Sequence, residues 1–281
     1  MENVKEYKLS PEAMVMVVGS SIGTQKKFYD KGFWYKQNNI GYEGTAEYLA
    51  SLVLSCSNMD WFVRYEKCRI NGRDGCRSAN FLMEGESYIS LQRLYDMYHG
   101  GQLSERIRSM DSVKERISFT IEFVKDTIGV DMRETLAKMA TFDMLVLNTD
   151  RHFNNIGIVA DTLHNRYVCA PAFDHGNALL SNIGEFPFGE PVACLAEKVI
   201  GQPFCANLER QAMELGFGLK INYRKLEGML SGEPDNRALE TLQYQLEKYK
   251  GILDDNTQRT DENTESGNKA MEGNHRENQE E

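Results

Sequence analysis

Within LNTDRHFNNIG, residues 147–157, an acid at Asp150 and an amide at Asn155 stand five positions apart, and a second acid, Asp174, follows in Phe173-Asp174-His175-Gly176. Such a trio can grip metal-bound phosphates, because carboxylate and amide oxygens suit hard magnesium, which keeps waters and is completed by substrate oxygens. Phosphoryl transfer asks a protein for little covalent work and much positioning. It needs a lysine on the nucleotide phosphates, a metal held by an acid and an amide, and an acid near the attacking hydroxyl. Lys36, Asn155, Asp174 and Asp150 supply these types, with the lysine well upstream.

The elements that must position them are legible from pattern. MRETLAKMATFDMLVL, residues 132–147, places Leu136, Met139, Ala140, Met144 and Leu147 at spacings of three and four, the stripe of a core-packed helix that ends where the polar cluster begins. Ile156 to Ala160 and Tyr167 to Ala172 predict a hairpin that returns the chain and deposits Asp174 near Asn155. Upstream, Met14 to Gly19 and Gly32 to Gln37 predict strands around a small, polar loop over residues 20–27. Gly19 and Gly23 let backbone N–H groups approach an anion or simply make a turn; the patterns GxxxxGKS/T and GxGxxG are absent. Strand alternation either turns Lys36 inward towards that loop or leaves it a solvated edge lysine. Tyr42 to Ser55 predicts a helix in which Glu43 or Glu47 could pair with Lys36; Glu47 is preferred because Leu49 to Leu54 lie behind it, whereas Gly44 separates Glu43 from that run.

Trp61 to Ile70 and Cys76 to Met83 predict strands around the turn-rich residues 71–75, and a boundary falls near Glu84 to Ser87. Helices follow over Ile89 to Tyr98, Val113 to Ile128, Asp131 to Leu147, Leu208 to Leu215, Tyr223 to Leu230 and Arg237 to Tyr249, with a loop-rich stretch from Gly176 to Pro203. Several polar residues admit two readings. His152 supports the loop or orients Asp150; Arg151 balances the acids, touches phosphate or makes a surface ion pair; Asn154 caps a turn. His175 reads as a packing and hydrogen-bonding residue, and Asp143 as a cap or loop anchor rather than a ligand.

Composition excludes several classes. The apolar fraction of 41% can build a core, and the net charge of −10 argues against general nucleic-acid binding. Residues 254–281 hold nine acidic and three basic residues and no aromatic, the signature of a disordered acidic tail. The six cysteines lack C-x-x-C spacing and read as free thiols. No apolar run is long enough to span a membrane and no secretory h-region opens the chain, so the expected compartment is the cytoplasm, with translocation as an effector a further option.

Asp150 to Asn155 reproduces the D-x-x-x-x-N spacing of a kinase catalytic loop, and Asp174-His175-Gly176 stands in the place of D-F-G. With GTQKKF, WYK and EKVIGQPF, the stretches NTDRHFNN and FDHG resemble the HipA-like serine/threonine kinases, especially the compact CtkA-type members, over roughly Val15 to Leu230. The D-R-H-x-x-N core is also similar to lipid kinases of the phosphatidylinositol type. The resemblance implies an α+β, bilobal protein-kinase-like fold: a small β-rich N-lobe with one helix over residues 1–83, a larger, mainly helical C-lobe over 84–253, and a tail over 254–281. It implies ATP and Mg2+ as cofactors and a protein substrate bearing serine or threonine. Asp150 becomes the catalytic base, and Asn155 and Asp174 the metal ligands. Gly23, Gln25, Lys27, Lys36 and Glu47, with Met83 and Glu84 at the lobe junction, become the nucleotide-binding set. Ser20 and Ser21 become regulatory autophosphorylation candidates. HipA toxins carry an additional N-terminal subdomain, and only about 14 residues precede the first predicted strand here, which makes an antitoxin or regulatory chain a candidate partner. A lipid or small-molecule kinase, and a non-catalytic pseudokinase or toxin–antitoxin module, stay open as alternatives.

Overall fold

The computed structural model describes residues 4–15 and 25–255, so the readings placed on Ser20, Ser21 and Gly23, and nearly all of the acidic tail, lie outside the described residues. Strands β1 (Glu6–Tyr7), β2 (Met14–Val15), β3 (Lys27–Asp30) and β4 (Phe33–Gln37) precede helix α1 (Glu43–Ser55), and β5 (Glu66–Ile70) and β6 (Arg73–Ala79) follow it. These six strands form one sheet in the order β1-β5-β6-β4-β3-β2. Its hairpins turn where the sequence allows φ > 0: Asn71 and Gly72, at φ 49° and 79°, join β5 to β6 in the Asn-Gly turn that suits the right-handed twist of strands. The loop predicted before Lys27 therefore ends earlier than expected. Lys27 is a strand residue paired directly with Lys36. The run from Trp61 enters the sheet only at Glu66, and β6 begins at Arg73 and ends at Ala79, shorter at its far end than the predicted Cys76 to Met83 strand.

Helix α1 lies against β6 at an unusually close approach. A Cβ on Gly44 would sit 2.5 Å from the Gly75 carbonyl carbon, and one on Gly75 would sit 2.1 Å from the Lys36 carbonyl oxygen. Only glycines permit this contact, and it sets the distance between α1, which carries Glu47, and β4, which carries Lys36. Gly75→Ala is expected to push β6 away from the β4 backbone at Lys36 and cost about 1–3 kcal/mol of stability; urea denaturation of the variant measures it.

The remaining elements are β7 (Glu86–Ser90), α2 (Leu91–His99), α3 (Leu103–Arg108), α4 (Val113–Ile128), α5 (Arg133–Val146), β8 (Gly157–Asp161), β9 (Arg166–Cys169), α6 (Val192–Ala196), α7 (Leu208–Glu214), α8 (Tyr223–Leu230) and α9 (Arg237–Leu253). The fold is thus mixed α+β. The predicted β8–β9 hairpin forms, but it joins a third strand: β7 pairs antiparallel with β8, Ile89 opposite Ile158. The helical reading of Ile89 was premature, because Ser90 is the N-cap, its side chain accepting from the Arg93 N–H, and α2 starts only after it. The short α3 and α6 carried no clear period of their own.

Helix α5 is the hub. Leu136, Met139, Phe142, Met144, Leu145 and Val146 are all buried in one core with residues of α1, α2, α4, α7, α8 and α9. The helix stops at Leu147, whose left-handed φ of 54° redirects the chain into the polar segment beyond. All six cysteines are free thiols. Among the described residues no helix is long and apolar enough to cross a membrane.

Candidate active site

Lys36 is not a solvated edge residue. It is 8% exposed, its Nζ forms an ion pair with Glu47 Oε1, and it donates to Asp174 Oδ1 at 2.5 Å. Lys27, opposite it on β3, reaches Asp174 Oδ2 at 3.6 Å. Two lysines side by side on a sheet repel each other, and Asp174 stands between their charges. Burial works against the Lys36 charge, but the Asp174 and Glu47 carboxylates outweigh it and hold the ammonium well above its ordinary pKa. Partial burial works against the Asp174 charge too, its side chain being 18% exposed, yet Lys36 and Lys27 hold it well below the carboxylate range. For Glu47 the balance reverses: desolvation, with the Asp174 charge, raises it against the pull of Lys36. Glu43, the alternative partner, instead accepts from the N–H groups of Asn39, Ile40 and Gly41 and fixes the entry to α1.

The segment bearing Asp174 is anchored from both sides. Val63 and Trp61 exchange backbone hydrogen bonds with Ala172, and the Asp174 N–H donates to Tyr65 Oη at 3.1 Å while Asp174 takes a left-handed φ of 60°. The His175 N–H donates to Glu47 Oε2 at 2.7 Å, so α1 grips the residue after Asp174 as well as Lys36. Tyr65 has no signal of its own in the sequence, since it lies in an ordinary aromatic run.

Beneath this runs a buried network. Arg151, 1% exposed, donates through Nε and Nη2 to Asp143, through Nη1 to the carbonyls of Asn155 and Phe173, and meets His175 Nδ1 through Nη2 at 2.8 Å. It neither faces phosphate nor makes a surface pair; it ties the 150–155 loop to the Asp174 segment. Asp143 is the loop anchor expected of it, accepting also from Asn148 Nδ2. Because Arg151 can only donate, His175 Nδ1 accepts and the ring proton sits on Nε2, which is buried without a partner. Burial, with Arg151 and Lys36 nearby, pushes the His175 pKa well below 6.5. The neutral imidazole costs nothing above pH 6.5, but below it the unfolded chain takes a proton that the folded one refuses. Stability is therefore expected to fall by up to about 1.4 kcal/mol per pH unit as pH drops below about 6.5, and His175→Gln to remove that component; denaturation at pH 7.5 to 5 compares the two.

Asp150 lies at the edge of this frame with its side chain 37% exposed. Asn177 Nδ2 donates to Asp150 Oδ2 at 3.0 Å, and His152 Nε2 is 3.7 Å from Oδ1. Asn177, which no sequence pattern singled out, is held by the Thr149 N–H and hydroxyl on its carbonyl. Asn155 is 3% exposed; its Nδ2 donates to the Asp150 carbonyl, leaving Oδ1 without a hydrogen-bond partner among the described residues. Among the described residues no group of three or more His, Cys, Asp or Glu side chains could hold a metal. An unpartnered amide oxygen and one carboxylate facing a common cleft do fit magnesium, which draws its other ligands from water and phosphate.

Two adjoining cavities share Lys27 and Asp174. One, about 230 Å³, is walled by Trp34, Val63, Phe81, Leu82, Tyr88 and Phe173, with Lys36 and Asn155 at its polar end. The other, about 60 Å³, brings Gln25, Lys27, Asp150, Asp174 and Asn177 together. Gln25 Nε2 is buried without a partner among the described residues. Lys27, Lys36, Asn155 and Asp174 thus meet at the first cavity, and Gln25 and Asp150 at the second. Met83 and Glu84 do not join them. The wall ends at Leu82, Met83 is 77% exposed, and its N–H and C=O are both taken by Glu86. Asn80 to Leu82 line the cavity instead.

No protein-family model and no curated protein sequence matches the chain. Among solved structures it is similar to the Helicobacter pylori proinflammatory kinase CtkA, with a TM-score of 0.61 and 13% identity over 89% of this chain and 95% of that one. Shewanella oneidensis HipA, solved with HipB and operator DNA, gives a TM-score of 0.41 and 10% identity over 87% of this chain and 67% of that one. The fold is therefore similar to that of a compact kinase of the kind the catalytic-loop motifs resemble.

Proposed function

We propose that the protein is an ATP- and magnesium-dependent kinase that phosphorylates serine or threonine hydroxyls of proteins. In this reading residues 1–83 and 84–253 are two lobes facing each other across the cavity walled by Phe81 and Phe173. The observation that carries it is the placement of Lys36 between Glu47 and Asp174 at one end of an aromatic cavity, with Asp150 in the adjoining one. The aromatic cavity takes the adenine, and the Phe81 backbone N–H and C=O, which bond to no other described residue, lie in its wall. Lys36 and Lys27 bind and neutralise phosphate oxygens. Asn155 and Asp174 hold the magnesium, which when bound spreads the charge of the transferring phosphoryl group.

Asp150 accepts the proton of the attacking hydroxyl as its oxygen bonds to the γ-phosphorus and the bond to the ADP oxygen breaks. Asn177 holds that carboxylate towards the small cavity. Gln25 adds a donor near the phosphates. Ser20 or Ser21, close to Gln25 in sequence, are the proposed autophosphorylation sites, and an antitoxin-like regulatory chain is the proposed partner.

Nucleotide binding tests the first half of this reading. The melting temperature is expected to rise with ATP and to rise further with ATP plus magnesium, following the logarithm of ligand over Kd. Identical shifts with and without magnesium would remove Asn155 and Asp174 as ligands.

A further inference from the structure

On the other side of the 150–155 loop lies a cavity of about 410 Å³ that the proposed reaction does not use. Its wall includes Arg108, Arg116, His152, Gln102 and Gln202, and no aspartate or glutamate. In a chain of net charge −10 such a lining is selective for negative charge. Among the described residues no carboxylate pairs with either arginine. Arg108 makes no hydrogen bond or ion pair with any described residue, and Arg116 spends its fixed donors on backbone, Nε and Nη2 on the Met110 carbonyl and Nη1 on that of Phe204. Two of the five guanidinium N–H groups of Arg116 are left over.

The cavity is wired to the candidate catalytic acid. His152 presents Nε2 to Asp150 at 3.7 Å, while its Nδ1 is buried without a partner. Gln202 donates from Nε2 to the Thr149 carbonyl at 3.1 Å. An acceptor hydroxyl at Asp150 and an anion in this cavity are separated by about one imidazole ring, a gap that about two or three extended residues cover at ~3.3–3.6 Å each.

We propose that this cavity is a substrate subsite that takes an aspartate or glutamate side chain close in sequence to the phosphorylated serine or threonine. The inference rests on the kinase reading and names its substrate class: acidic segments of proteins. A single carboxylate is favoured over a polyanion such as RNA, because the chain as a whole is acidic and a nucleic-acid backbone needs an extended basic track.

The test uses fluorescent serine peptides carrying glutamate at each position from −3 to +3, with glutamine counterparts. Affinity is measured on the full chain with Asp150→Asn, and kcat/KM on the unaltered full chain. At one or two positions the glutamate peptide is expected to bind and react about five- to tenfold better. Arg108→Glu should abolish that ratio, and an arginine peptide should recover on it. Lys125→Glu, an equal charge change at an exposed position of α4, should leave the ratio intact. A ratio near one at every position, or one indifferent to Arg108→Glu, would overturn the subsite. So would displacement by an RNA oligonucleotide with Arg108-dependent affinity and no glutamate preference. Arg108-dependent glutamate selectivity in binding without turnover would keep the subsite and remove the kinase reading; turnover without selectivity would do the reverse.

Discussion

Asp150→Asn is expected to lower kcat for phosphoryl transfer by about 10²–10⁴-fold, the usual contribution of a positioned general base, with nucleotide affinity unchanged. The carboxylate lines the small cavity rather than the aromatic one and touches neither Lys36 nor Lys27. An asparagine has the same shape and can still accept from Asn177 Nδ2, so the loop keeps its form. The buried arrangement of Arg151 on Asp143 is independent of the Asp150 side chain. Initial rates over a range of ATP and peptide concentrations separate the two parameters. A large rise in the KM for ATP at unchanged kcat would assign Asp150 to binding instead.

Lys36→Met should damage both folding and function. It leaves Glu47, fully buried, and Asp174 without the ammonium between them, with Lys27 3.6 Å from Asp174 Oδ2. Removing one partner of a buried ion pair costs about 3–5 kcal/mol, because the remaining charge has lost both water and its counter-charge. The pH dependence has a definite sign. Glu47 already holds its proton more tightly than an ordinary glutamate, and without Lys36 it does so still more, so acid favours the folded variant. The stability deficit relative to the unaltered protein is expected to narrow between pH 7 and pH 5, and Asp174, which loses the main charge that lowers it when Lys36 is removed, shifts in the same direction. Nucleotide affinity should fall as well, since Lys36 is the buried cation at the polar end of the aromatic cavity. Urea denaturation at the two pH values and ATP titration measure these effects; a deficit that widens towards pH 5 would contradict the electrostatic account.

How much of this was legible in the sequence follows from the range of each interaction. Helices α4 and α8 have the predicted bounds, because apolar periodicity and local caps decide them. The choice of Glu47 over Glu43 also follows from the local run behind it. Strand β7 was not legible: its five residues, ESYIS, are a strand only because β8 is there to pair with them. Lys27 was read as a loop residue for the same reason, since its strand identity comes from Lys36 across the hairpin.

The site's polar support was hidden for a different cause. Arg151 next to an acid admits a surface ion pair until burial is known, and its true partner, Asp143, sits one helix earlier. Asn177 and Tyr65 reach Asp150 and Asp174 through folding alone. Met83 and Glu84 were placed at the junction by a change of composition, which marks a boundary only to within a few residues; the cavity wall stops one residue sooner, at Leu82.

Transfer of label tests most directly whether the two cavities together move a phosphoryl group from ATP to a hydroxyl, as proposed. The full chain is incubated with magnesium and γ-labelled ATP, beside its Asp174→Asn variant, with an acidic serine-rich protein as acceptor. Label in phosphoserine or phosphothreonine with the unaltered chain, and none with Asp174→Asn, is the predicted result. No label in protein, or equal labelling by both chains, would contradict it.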